Sequence, residues 1–374
     1  MAVKHHIESL RRFIEKEDFK GYDPYDALNS PFLRYLSHNS KYLRILFIQT
    51  LKRLPFNLRP VLGIRKELNP KGLGLFLWGY AKLCGAEKEQ RYLTTISHLL
   101  DLLEHTRSNG YFGNCWGYNF DWQSRAFFLP KHTPTIVNSS FIGHALLDTY
   151  KYTGHERALE MALSIKDFIL NDLNRLEEGN KICFSYTPVD HYFVHNANLL
   201  GASILIRLYK YTGESVLKDA ALASLGYTMK HQREDGAWFY AERERAHWID
   251  SFHTGFNLHS ILYFIEEGFA DEYLTDFNKG VCFYKDHFFL QDGTPKYYHN
   301  KTYPIDIHAP AQALVFFSRL GGKYTPLAEK ILDWMVLHMQ DKKGCFYFQK
   351  HPFYTNKIPY MRWGQAWAFH ALTE

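Results

Sequence analysis

The 374-residue chain, 46% hydrophobic and 22% charged, has the composition of a globular protein able to bury a large core, which excludes a disordered one. Its 44 Lys and Arg against 39 Asp and Glu leave a formal charge of only +5, too balanced for a protein whose affinity comes from neutralising many phosphates, so nucleic acid is not an expected partner. The unusual quantities are 29 Phe, 26 Tyr, 8 Trp and 20 His, and flat amphipathic rings suit sugar faces as well as cores.

At the N-terminus, MAVKHHIESLRRF has no apolar run behind its basic residues, as a secretory signal would. No later segment approaches the roughly 20 apolar residues of a membrane span. The five cysteines are scattered and contain no CxxC, so a reducing, cytoplasmic setting is expected. From Arg34 to Lys66 eight basic residues alternate with Tyr42, Leu43, Leu46, Phe47 and Leu51. This is the pattern of a basic amphipathic helix, which either rests on an anionic membrane or polymer or serves as an outer helix with its polar face in water. Residues 1–66 are therefore read as N-terminal helices and 67–374 as repeated helix pairs of one domain.

The repeat rests on segments that are almost wholly apolar or small. They begin at Phe141, Asn198, Phe256, Ala309 and Gly364, 53–58 residues apart, with a sixth candidate near Gly72. A helix apolar all round is buried all round, so inner helices are predicted near 72–84, 138–152, 196–211, 254–267, 308–320 and 361–373. Between them lie amphipathic stretches such as 156–170, whose Ala158, Leu159, Ala162, Ile165, Phe168 and Ile169 form one stripe. Tyr152-Thr153-Gly154 and Tyr211-Thr212-Gly213 mark where inner helices stop. Twelve helices in six pairs, the last closed by the N-terminal helix, predict an all-α (α/α)6 toroid.

The loops entering the inner helices carry the chemistry, and all are expected on one end of the ring. In chain order they hold Trp116, Asp121, Trp122 and Arg125; then Asp190, His191, Tyr192 and His195; then Trp248, Asp250 and His253; then Asp306 and His308; and finally Tyr360, Arg362 and Trp363. Amides follow in the first turns, at Asn138, Asn198, Asn257, Gln312 and Gln365. Singly, such residues cap helices. Together they describe a cavity whose carboxylates and imidazoles act as acids and bases and bind sugar hydroxyls, with Arg125 and Arg362 suited to an anionic sugar. Crowded carboxylates raise one another's pKa, which separates a proton donor from an ionised partner. His191, His195, His253 and His308 are the only plausible metal set, and with no HExxH no metal is expected; no phosphate cradle or GxSxG is present either, so no cofactor is expected.

Asn69-Pro-Lys-Gly-Leu-Gly-Leu, Trp116-Gly-Tyr-Asn-Phe-Asp-Trp-Gln-Ser-Arg125, Thr133-Pro-Thr-Ile-Val137 and Met361-Arg-Trp-Gly-Gln-Ala-Trp367 resemble segments of bacterial and archaeal exopolysaccharide-biosynthesis proteins of the six-hairpin glycosidase-like class. The resemblance implies an oligosaccharide or polysaccharide substrate. His247-Trp-Ile-Asp250 is similar to the Trp-x-Asp segment that carries the catalytic Asp of unsaturated-uronyl hydrolases of this fold, which implies Asp250 as acid/base. The resulting expectation is a glycoside hydrolase pairing Asp250 with Asp190, Asp121 or Asp306. A lyase or epimerase on the same scaffold would lean on Tyr192, His195 and His253 instead, and a non-catalytic glycan-binding protein would use the helix entrances as caps alone.

Overall fold

A computed structural model describes residues 2–374. Helix α1 (Ala2–Lys16) is followed by two short helices, α2 (Pro31–Ser37) and α3 (Lys41–Arg53), and then by the repeat. The repeat runs through α4 (Pro70–Glu87), α5 (Gln90–His105), α6 (Ile136–Thr153), α7 (Glu156–Leu163), α8 (Ile165–Asn171), α9 (His195–Thr212) and α10 (Ser215–Lys230). It continues with α11 (Ser251–Glu266), α12 (Leu274–Phe288), α13 (His308–Leu320), α14 (Thr325–Met339) and α15 (Trp367–Leu372), the last preceded by a π-helical turn over Met361–Ala366.

The inner ring is α4, α6, α9, α11, α13 and α15, each packed on the next, with α15 returning to α4. Outside them lie α5, α7 with α8, α10, α12, α14 and α1, so the predicted six pairs, including closure by the N-terminal helix, are present. Local chemistry explains the boundaries. Asn69 Oδ1 accepts the Lys71 and Gly72 amides, Thr135 Oγ1 accepts that of Asn138, and Gly154 and Gly213, both at φ +69°, end α6 and α9 in the left-handed region. The outer helices bury one stripe only, as α5 does with Tyr92, Ile96, Leu99, Leu100 and Leu103.

Three departures from the sequence reading have local causes. The second outer helix breaks at Ser164, whose carbonyl lies 2.0 Å from where a Gly113 Cβ would stand and whose hydroxyl accepts the Asn114 amide. The last inner helix begins with π geometry because the Gly364 and Gln365 amides share the Tyr360 carbonyl (2.9 and 3.1 Å). The basic segment 34–66 is no outer helix of the ring: α2 and α3 sit on their own small core of Ala27, Leu28, Leu33, Ile48, Leu51 and Ile64. Its basic residues do not share one wet face either, since Arg59 is fully buried and Arg44 lies 4.1 Å over the Phe128 ring, while Tyr35 and Tyr42 point to solvent. No helix among the described residues is long and apolar enough to cross a membrane.

Buried ion pairs tie this N-terminal segment to the last inner helix. Arg362 donates twice to the Asp23 carboxylate (2.6 and 2.8 Å), and Arg59 bridges Asp26 Oδ1 (2.6 Å) and the Tyr360 hydroxyl (2.8 Å). At the far end of the ring the polar cluster is histidine-rich. Arg207 Nη1 donates to His144 Nδ1 (2.9 Å) and Arg319 Nη1 to His259 Nε2 (3.0 Å), while Trp78 stacks on His370 at 4.3 Å.

Ring closure also uses a glycine. Gly344 at φ +93° passes so close to α1 that an added Cβ would stand 2.4 Å from the Ser9 carbonyl carbon. Gly344→Ala therefore meets both backbone strain and a clash, and thermal melting should report a loss of about 1–3 kcal/mol. A variant as stable as the parent would show that α1 adjusts without cost.

Candidate active site

All six inner helices send a residue from their first turns into one cavity of about 270 Å3: Lys71, Val137, Asn196, His253, His308 and Arg362. The entering loops supply the rest of the wall, mainly as rings: Tyr118, Phe120 and Trp122 before α6, Tyr186 before α9, Tyr240 and Trp248 before α11, and Tyr297 and Tyr298 before α13. Tyr25 reaches the same space from the N-terminal segment. The convergence follows from the fold, because parallel inner helices present all their N-termini on one end.

Asp250 is the one carboxylate in this wall, at 2% exposure. Its Oδ1 caps α11 by accepting the His253 amide (3.0 Å), and its Oδ2 accepts Trp248 Nε1 (3.1 Å) and faces His253 Nδ1 at 2.7 Å. A carboxylate there makes His253 carry its proton on Nδ1, leaving Nε2, which has no hydrogen-bond partner among the described residues, as a basic lone pair. Tyr240 stacks on Trp248 (4.6 Å) and contacts the His253 ring (4.6 Å), fixing the imidazole plane.

His308 is buried at 1% exposure between Phe252 (4.7 Å), Trp363 (4.6 Å) and Trp367 (4.5 Å), and neither ring nitrogen has a partner. Burial drives its pKa well below the usual imidazole value, and the Arg362 guanidinium adds to the effect, so it is neutral. His253 and His308 pack on the same two rings, Phe252 and Phe256, and so face one space. Asn196 adds a buried carbonyl oxygen without a donor.

Asp250, His253, Trp122, Trp248, His308, Arg362 and Trp363 are thus brought together. The other sequence candidates lie elsewhere. Asp306 sits behind the wall, accepting the His308 amide, Gln349 Nε2 and Trp363 Nε1 (2.7 Å), which makes it the residue that orients Trp363. Burial raises its pKa, as it does that of Asp190, which accepts the Thr187 hydroxyl and the Tyr192 amide within its own loop. Asp121 accepts the Lys131 amide. His195 points outward to Glu242 (2.8 Å) and Thr228. Trp116 donates to the Leu103 carbonyl in the core, Tyr360 to the Arg59 cluster belongs as acceptor, and Arg125 and His191 are exposed. Tyr192 is half-buried beside Phe127 and Tyr240.

None of the five amides lines the cavity. Asn198 and Gln365 bind the backbone of Phe184 and Phe346 in the extended segments behind, and Gln312 Oε1 accepts the Tyr284 hydroxyl while resting on Gly255. Asn257 borders a separate crevice, and Asn138 has no side-chain partner among the described residues. The four histidines weighed as metal ligands do not converge, since His191 and His195 face away from the cavity.

Lys71 and the buried tyrosines were not among the sequence candidates. The signal for Lys71 was available: a lysine that opens a helix whose next ten residues, Gly72 to Ala81, are all apolar or small.

The sequence matches no family model and no curated protein. Among solved structures the chain is similar to a cellobiose 2-epimerase from Bacillus thermoamylovorans, with a TM-score of 0.65 and 15% identity over 83% of this chain and 89% of the other. It is also similar to a GH76 α-mannanase of Bacteroides thetaiotaomicron (TM-score 0.62, 13% identity, 82% and 85% covered). An unsaturated glucuronyl hydrolase specific for heparin aligns with a TM-score of 0.61 at 15% identity, covering 83% and 86%. These likenesses establish the six-hairpin toroid.

Proposed function

We propose that the protein is a carbohydrate-active enzyme that transfers a proton at a carbon of a reducing sugar, as an epimerase or isomerase does. The observation that carries this reading is a cavity wall with one carboxylate, engaged with His253, and a second, neutral imidazole at His308. Two-carboxylate glycoside hydrolysis needs a second acid roughly 5–10 Å from the first, and no such group lines the cavity among the described residues. Proton abstraction next to a carbonyl needs a base on one side and a proton donor or acceptor on another, roles that His253, oriented by Asp250, and His308 are placed to fill. The aromatic wall offers faces for a sugar ring.

A neutral sugar is favoured, because Arg362 is already neutralised by Asp23 and Arg125 lies in solvent. That the sugar derives from a surface polysaccharide rests on the sequence resemblance through Trp116–Arg125 and Met361–Trp367. The Trp248-x-Asp250 segment supports a second reading, hydrolysis with Asp250 as the single acid/base.

Incubation with glucose, mannose and cellobiose in D2O separates the readings. Deuterium at C2 of the recovered sugar, with or without the C2 epimer, is the expected result by NMR. Products that have gained water while every C–H is retained would replace proton transfer with hydrolysis.

A further inference from the structure

Lys71 stands in the first turn of α4, 3% exposed, with its side chain in the cavity wall. Its ammonium position is 4.1 Å from the Phe141 ring centroid and 5.5 Å from those of Phe256 and Trp367. Among the described residues Nζ has neither an ion-pair partner nor a hydrogen bond. The closest acidic group that acts on it, Asp23, is held bidentately by Arg362.

Two effects compete for the charge of this amine. Ring faces favour an ammonium. Burying an ion without a counter-charge costs more than those faces return, and the Arg362 guanidinium adds repulsion. Desolvation wins, and the pKa of Lys71 falls well below the ordinary lysine value. An amine whose pKa is lowered in this way gives up its proton more readily than an exposed lysine, and once unprotonated and facing a ligand cavity it is a nucleophile for carbonyl carbon.

We propose that Lys71 captures the open-chain aldehyde of a reducing sugar as a Schiff base. Nζ attacks C1, a C–N bond forms, and the C1 oxygen leaves as water with the two protons from nitrogen; hydrolysis returns that water and frees the amine. No oxidant or reductant is required. For the reaction at C2 the inference rests on the proton-transfer reading: once the imine is protonated it draws electrons from C2, His253 removes the C2 proton, and reprotonation restores the imine. Capture by itself stands without that reading.

The test uses the intact protein with D-glyceraldehyde and cyanoborohydride at about pH 6, where an amine of the ordinary lysine pKa, about 10.4, is overwhelmingly protonated. Among the lysines, peptide mass mapping should find the reduced adduct on Lys71 alone. Lys71→Arg should lose the adduct and about 10²–10⁴-fold of C2–H exchange. His253→Asn should label at Lys71 as the parent does. An unlabelled Lys71 at pH 6, with exposed lysines labelling at higher pH, overturns the proposal without recourse to any variant; so does Lys71→Arg with parental exchange. Exchange in a parent whose Lys71 stays unlabelled leaves the histidine reading standing alone. A labelled Lys71 in a protein that exchanges no C2 proton upholds capture and removes the proton-transfer reading.

Discussion

His253→Gln is expected to lower C2–H exchange by about 10²–10⁴ while leaving the melting temperature near that of the parent. The base is lost, but the Asp250 cap is not, because Oδ1 binds the backbone amide of residue 253 rather than the ring. Asp250→Asn should be nearly as damaging for a different reason. The Asn carbonyl can keep the cap, as Asn caps about as well as Asp, but its NH2 then faces Trp248 Nε1–H and His253 Nδ1–H. Relief comes from moving the imidazole proton to Nε2, which removes the basic lone pair from the cavity. The two residues act as one unit, so the double variant should be little worse than either single one. Losses that multiply instead would show Asp250 and His253 working separately, and full exchange in Asp250→Asn would reduce Asp250 to a cap.

Acid should destabilise the fold steeply near pH 6. His144, His308 and His370 are buried and His259 is partly buried, and desolvation holds each pKa well below 6.5. Geometry agrees for two of them, because His144 and His259 accept hydrogen bonds from guanidinium groups and have no room for a proton on that nitrogen. The unfolded chain binds protons on all four below about pH 6.5 and the folded chain does not. Stability therefore falls as pH falls, by up to about 1.4 kcal/mol per pH unit for each group. Asp26 works the other way: its folded pKa of about 6 lies above 3.8, so it takes up a proton in the folded state first and offsets one imidazole. Asp190 and Asp306, also raised, act in the same sense at lower pH. The net slope should be roughly 3–4 kcal/mol per pH unit near pH 6, a large share of a typical 5–15 kcal/mol. His370→Phe keeps the stack on Trp78 and should flatten the slope by about one proton. A melting temperature unchanged from pH 8 to 5.5 would refute the account.

The fold was legible because burial leaves a coarse mark. Wholly apolar helices at Phe141, Asn198, Phe256, Ala309 and Gly364 can only be inner ones, and Tyr-Thr-Gly punctuation set their ends. The cavity wall was legible in part, through Trp248, Asp250, His253, His308 and Arg362. What failed was the inference from repetition to function. Asn198 and Gln365 recur because each pair needs an amide to hold the backbone of an extended segment, and Asp190 and Asp306 recur because each loop needs a cap. Direction is what a sequence conceals here: His195 and His308 are the first residues of the inner helices α9 and α13, yet one side chain meets Glu242 and the other lines the cavity. Lys71 was passed over because one lysine hardly alters the apolar mean of its helix.

The ties from Asp23 to Arg362 and from Arg59 to Tyr360 join positions 339 and 301 residues apart. On the ribosome, a nascent chain made as far as residue 355 has its first five helix pairs to pack, and Arg59 already has Asp26, but Asp23 lacks Arg362 and Arg59 lacks Tyr360. It also lacks the wall that holds Arg362 and Trp363. The cavity is therefore the last part of the molecule to be assembled, and binding of a sugar reports that translation has passed the π-helical turn.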